Sequence, residues 1–249
     1  MTAEQRQLVP VEAPAKRAMA DDDEFERFLY LVTHDLRACF RALRTIPEWI
    51  REDLSGTTAP TDVHTHLDML ITQARRGDRM LLDLREFSRV GRLCGPIMVE
   101  PVRSIAERCW GNIGVPDEMS LDLSLAEGSV ALPRDDATRL FSAILDNAVK
   151  HRAGNSGRVS VRCAEEGKKW LSIRIEDDGP GIEPQFRDKA FGLLTTLRPR
   201  DACEGSGVGL AIARRIVETA GGQIGLDDGP GGKGLSVCMT LPRMPVAVD

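Results

Sequence analysis

The sequence predicts an α+β protein: a helical hairpin that doubles into a dimeric four-helix bundle, followed by an α/β sandwich domain. Three observations predict it. Apolar residues recur at steps of three and four over two long segments before Gly91. Gly91 to Pro96 interrupts that period, and from Ile97 onward strand-like alternation is interleaved with helical runs. With 249 residues, 42% of them apolar and 29% charged, the chain has the balance of a globular protein large enough for a substantial core.

Residues 1–20 carry Pro10 and Pro14 and no sustained apolar period, and are read as a flexible tail. Asp21, Asp22, Asp23 and Glu24 then place negative charge where a helix N-terminus favours it. Behind them Phe25, Leu29, Val32, Leu36, Cys39, Leu43, Ile46 and Ile50 form a helical stripe. Residues 55–60, Ser-Gly-Thr-Thr-Ala-Pro, read as a turn, after which Thr61 or Asp62 caps a second helix. Its apolar face runs through Val63, Leu67, Leu70, Ala74, Leu81, Leu84 and Phe87. A lone hairpin leaves such stripes uncovered, and a second copy across a two-fold axis covers them. The hairpin domain is expected over 21–92 and the sandwich domain over 97–245. In the latter, strands are expected at 121–125, 159–163, 171–176 and 235–241, and helices at 101–110, 134–151 and 208–220.

Composition narrows the function classes. Thirty-three basic and 38 acidic side chains leave a net charge of -5, which disfavours a nucleic-acid binder, and 4% aromatic residues leave few base-stacking platforms. No apolar run is long enough for a membrane span, and residues 1–20 lack the apolar centre of a secretory signal, so a cytoplasmic location is expected. The six cysteines stand singly, without metal-ligand spacing, and read as reduced packing thiols. His64 and His66 are two apart, point to different helix faces and receive no role.

Three segments carry chemistry. Ile175-Glu-Asp-Asp-Gly-Pro-Gly-Ile182 ends a strand on Asp177, a side-chain acceptor for a donor such as an exocyclic amine, and Gly179 and Gly181 permit close backbone approach to a flat ligand. Gly205-Ser-Gly-Val-Gly-Leu210 opens onto a helix, where free N–H groups favour phosphate oxygens. Upstream, Asn147 and Lys150 share one face of a helix; an Asn oxygen suits Mg²⁺ and a Lys suits phosphate charge. Gly229-Pro-Gly-Gly-Lys-Gly234 satisfies a dinucleotide fingerprint in letters only. No helix follows it, and it is read as a hairpin loop.

The order of Asn helix, DxGxG and GxGxG resembles the ATP-binding domain shared by sensor histidine kinases and gyrase-type ATPases. The resemblance implies that Asp177 binds the adenine amino group, Asn147 the Mg²⁺ and Lys150 the phosphates, with Gly205, Gly207 and Gly209 bordering the lid and Ser206, Val208 and Leu210 among the ATP-binding residues. His151, Gly179, Gly181 and Arg198 complete the implied ATP-binding set. Thr33-His-Asp-Leu-Arg37 resembles a phospho-acceptor box, and Phe87-Ser-Arg-Val-Gly-Arg92 resembles the end of the second helix in the phytochrome-like branch. His34 lies about 200° around its helix from the apolar face and is expected to be exposed. By the resemblance it is the nucleophile toward ATP, with Asp35 accepting its proton.

Four positions depart from the family pattern. Cys39 stands where Pro is usual, Ala38 where Thr or Asn is frequent, Ala143 where an Asn commonly shares the Mg²⁺ site, and His151 where Tyr is common. The expected function is that of a homodimeric sensor histidine kinase using ATP and Mg²⁺ and passing phosphate to a response-regulator receiver domain. No sensor domain is read before Asp21, so a separate sensor protein is one expected source of input. The alternative is a dimeric histidine phosphotransferase, a phosphorelay module with a degenerate nucleotide site.

Overall fold

The computed structural model describes residues 40–43, 45–50, 52, 60–90, 95–152, 154, 156–197 and 207–243. The expectations placed on residues 1–39, including His34 and Asp35, and on Arg198, Gly205 and Ser206 lie outside these residues. Two compact units divide between Gly77 and Asp78.

In the first unit residues 40–43 and 45–50 are helical, with Ile46 buried and the Trp49 ring 5.6 Å from that of His66. Helix α1 (Pro60–Arg89) begins here at the expected turn and runs on into the second unit. Its apolar stripe is covered unevenly: Leu67 and Leu81, with Ile71 beside them, are 41%, 48% and 47% exposed, whereas Val63, Leu70 and Leu84 are half-buried and Phe87 is buried. Among the described residues its exposed positions lack the cover that the sequence pattern calls for.

The second unit contains the end of α1 and the mixed α/β domain. Strand β1 (Ile97–Pro101) leads into α2 (Val102–Asn112), followed by β2 (Met119–Leu125) and β3 (Ser129–Pro133). Next come α3 (Arg134–Lys150), β4 (Gly157–Glu166) and β5 (Trp170–Asp177). The short α4 (Arg187–Ala190), α5 (Gly209–Thr219), β6 (Ile224–Asp228) and β7 (Leu235–Pro242) complete the order. Strands β1 and β3 pair antiparallel as a ribbon. The main sheet has the order β2-β4-β5-β7-β6, with β2 parallel to β4 and every other pair antiparallel.

Alternation builds the core as expected. Leu171, Ile173 and Ile175 on β5 and Val237, Met239 and Leu241 on β7 are buried, together with Leu140, Phe141 and Leu145 of α3 and Ile216 of α5. The expected helix at 101–110 starts one residue later, because Pro101 is still in strand conformation, paired with Ser129.

The last turns of α1 pack on this domain. Phe87 and Val90 are buried, at 7% and 1% exposure. Glu86 Oε2 accepts from Arg139 Nε of α3 at 2.8 Å, and the guanidinium of Arg215 on α5 lies 4.5 Å from the centre of the Phe87 ring.

Candidate functional site

Strand β5 ends on Asp177, where the chain leaves the sheet. Its Oδ1 accepts two backbone N–H groups, from Gly179 at 2.9 Å and from Leu235 at 3.2 Å. Its Oδ2 has no partner among the described residues. Burial raises the carboxyl above its ordinary pKa; the two N–H groups pull it down, and the neighbouring Asp178 charge adds to the rise. Asp178 is used differently, its Oδ2 accepting from the backbone N–H of Arg158 at 3.0 Å and tying the strand end to β4.

Gly179 and Gly181 are required by protein packing. A Cβ at Gly179 would stand 2.8 Å from Asp177 Oδ1, and one at Gly181, where φ is +71°, would stand 2.6 Å from the Gly234 carbonyl oxygen. The expected close approach is therefore met by the chain itself at these two positions.

Helix α3 brings its C-terminal turn to this strand end: the His151 carbonyl oxygen lies 3.4 Å from the Cβ position of Gly179. The His151 N–H closes the helix on the Asn147 carbonyl at 3.0 Å. Asn147 is half-buried, and its side-chain amide has no partner among the described residues. Lys150 is exposed and paired with Asp146 one turn back, Nζ to Oδ2 at 2.5 Å. That i,i+4 pair is a readable signal, since opposite charges four apart meet on a helix surface.

The second glycine run enters α5. Gly207, with φ +71°, stacks on the Thr195 backbone, a Cβ there standing 2.5 Å from the Thr195 carbonyl oxygen. Val208 is buried and its carbonyl accepts the Ile212 N–H, while Leu210 is half-buried. The Cβ position of Gly209 is 3.7 Å from Ala143 Cβ, so the small side chain at 143 lets the start of α5 close against α3. In the segment before the second run, Leu194 is left-handed at φ 55°, a conformation that strains a branched residue and that sequence reasoning missed.

Residues 133–245 match the family described as histidine kinase-, DNA gyrase B-, and HSP90-like ATPase. Over 227 residues, 90% of this chain, it is 33% identical to the methanogenesis regulatory histidine kinase FilI of Methanothrix harundinacea. The chain is related to sensor histidine kinases and carries their ATP-binding domain. It spans a quarter of FilI's length. The solved structure of the mycobacterial sensor histidine kinase MprB is 26% identical, with a TM-score of 0.53 over 60% of this chain and 99% of that one. The Acinetobacter baumannii histidine kinase AdeS shares the fold at 20% identity, with a TM-score of 0.57 over 85% of this chain and 98% of its own.

Within the ATP-binding domain, the fold gathers Asp177, Gly179, Gly181 and the backbone of His151 at one end of the main sheet. Gly207 and Gly209 open α5 beside Ala143 on α3, the helix that also carries Asn147. Among the described residues no helix is long and apolar enough to cross a membrane.

Proposed function

We propose that this chain works as a cytoplasmic, homodimeric two-component sensor kinase. It binds Mg-ATP within residues 97–245, phosphorylates His34, and passes the phosphoryl group to an aspartate of a response-regulator receiver domain. A separate sensor protein is the proposed source of input. The observation that carries the reading is Asp177: a half-buried carboxylate at a strand end, with one oxygen held by two backbone N–H groups and the other without a partner among the described residues. The exposed Leu67, Ile71 and Leu81 of α1 fit a second copy of the chain.

In the proposed reaction an imidazole nitrogen of His34 attacks the γ-phosphorus. The bond from that phosphorus to the β,γ-bridging oxygen breaks, ADP leaves with the electron pair, and Asp35 takes the ring proton. Asp177 accepts the adenine amine and thereby sets where the triphosphate lies. Asn147 offers an oxygen without a partner among the described residues, of the type that a hard divalent cation prefers, and is the residue proposed to hold Mg²⁺. Bound Mg²⁺ neutralises charge on the phosphate oxygens. The remainder is positioning, which accounts for much of the acceleration in phosphoryl transfer.

One observation favours the phosphorelay alternative. Lys150, the cation expected at the phosphates, is already paired with Asp146. The deciding experiment is incubation with Mg²⁺ and γ-labelled ATP, beside His34→Gln and Asp177→Asn variants. Acid-labile, base-stable label on the wild type, abolished by both substitutions, is the expected result. A folded dimer that takes no label from ATP overturns the kinase reading in favour of the relay.

A further inference from the structure

The loop Gly229–Gly234 between β6 and β7 is divided into two halves that differ sharply. At Gly231 and Gly232, with φ +69° and +76°, nothing lies within 4 Å of a Cβ position. At Gly234, with φ +77°, a Cβ would stand 1.8 Å from the Asp177 carbonyl oxygen and 3.0 Å from Asp178 Cα. One at Gly229 would stand 2.9 Å from the same carbonyl oxygen. Gly229 and Gly234 are joined by a backbone hydrogen bond of 3.1 Å, and the Gly234 carbonyl fills the space beside Gly181. Crowding is thus confined to the ends of the loop that grip the strand end carrying Asp177.

The sheet ladder changes partner at the same place. Strands β5 and β7 are in register through Glu176↔Ser236, and Leu235 is the next residue of β7. Its N–H goes to the side chain of Asp177, joining the Gly179 N–H on Oδ1. A free carboxylate offers about four lone-pair sites over two oxygens. With Oδ1 engaged twice, Oδ2 is left as an acceptor in a fixed direction.

We infer that the Gly229–Gly234 loop, through Gly234 and the Leu235 N–H, is the positioning device that turns Asp177 into a directional acceptor for the 6-amino group of a purine. Gly234 and Leu235 act through Asp177, and this inference rests on the ATP-binding reading above. A 6-oxo purine presents an acceptor to the same oxygen and is repelled. A base lacking the amine leaves the half-buried carboxylate without its donor.

The test compares binding of ATP with that of purine riboside triphosphate, which lacks only the 6-amino group, by titration in the presence of Mg²⁺. The wild type is expected to prefer ATP by about tenfold or more. Gly234→Ala is expected to bring the ratio of the two affinities close to one, with the analogue's affinity within about twofold of wild type. Gly231→Ala shares the left-handed backbone but has open space, and is expected to keep the wild-type ratio. A folded Gly234→Ala protein that weakens both ligands equally, or keeps its preference, overturns the inference. A wild type that does not bind ATP overturns instead the reading on which it rests. If Gly234→Ala fails to fold, Asp177→Ala reads the same link from the other side: amide exchange at Leu235 rises about tenfold while the rest of β7 is unchanged. Unchanged exchange at Leu235 overturns the inference.

Discussion

Two adjacent rows of the main sheet run across the same strands one residue apart. In the first, Val161, Ile175, Val237 and Leu226 stand in register across β4, β5, β7 and β6, and the helices cover them. In the second, Asp122, Ser160, Glu176, Ser236 and Asp227 face the other way. Ser160, Glu176 and Ser236 are nevertheless buried. There the Ser160 hydroxyl donates to Glu176 Oε2 at 3.2 Å, and Arg162 Nε pairs with the same oxygen at 3.0 Å. The difference teaches that register is specified from both sides. A slip by one residue would drive carboxylates into the core and at the same time break the Ser160–Glu176–Arg162 set.

Ile175, Glu176 and Asp177 follow one another along β5, one in each row and one at the site, so consecutive substitutions break the comparison in different ways. The largest effect is expected from Ile175→Ala, which opens a cavity among packed aliphatic side chains. It should lower the unfolding free energy by about 2–5 kcal/mol in denaturant titrations. Glu176→Ala comes next, at about 1–3 kcal/mol, because Ser160 and Arg162 lose a shared buried acceptor. Glu176→Gln should recover part of this loss by keeping the oxygen.

Asp177→Asn is expected to act in the opposite sense. Its oxygen still accepts both backbone N–H groups, while the charge that burial disfavours is removed, so Tm should rise by about 2–4 °C as nucleotide binding falls. The pH dependence carries the same sign. Since the folded protein holds the Asp177 proton to higher pH than the unfolded chain, this residue makes stability decline as pH rises from the ordinary carboxylate value toward the raised one. The Asn variant should lack that decline in thermal melts at stepped pH.

The smallest effect is expected at the exposed edge of the polar row. There the Ser124 backbone N–H, then the Ser124 and Arg158 side chains, hold Asp122 down at about 2. Its contribution is present above the ordinary carboxylate pKa and is lost as pH falls toward about 2. Arg158→Ala should leave the denaturation midpoint at neutral pH within experimental error, as screened surface pairs generally do.

Strands β5 and β7 were legible because apolar and polar residues alternate along them, and α3 and α5 because their apolar positions keep a helical period. The ribbon strands were not. In β1 Ile97, Met98 and Val99 are all exposed, and in β3 Val130, Ala131 and Leu132 are all buried, so neither shows a period of two. Strand β6 holds a Gly and two Asp residues, a composition that reads as a turn. At the site, Asp177 and its glycines stood out because such backbone needs glycine wherever it occurs. The bond from Leu235 to Asp177 spans 58 positions, and no local pattern encodes it. The loop beside it was legible as a hairpin, while its grip on the strand end belongs to tertiary structure. Likewise, the left-handed Leu194 carries no residue signal, because leucine is not chosen for that conformation.

Glu86 and Phe87 are neighbours in sequence and about 100° apart around α1, yet they reach different helices. Glu86 meets Arg139 on α3, and Phe87 lies under Arg215 on α5. The helix end therefore behaves as a two-pronged key. Through these two contacts the end of α1 joins the helix that bears Asn147 to the helix that opens at Gly209.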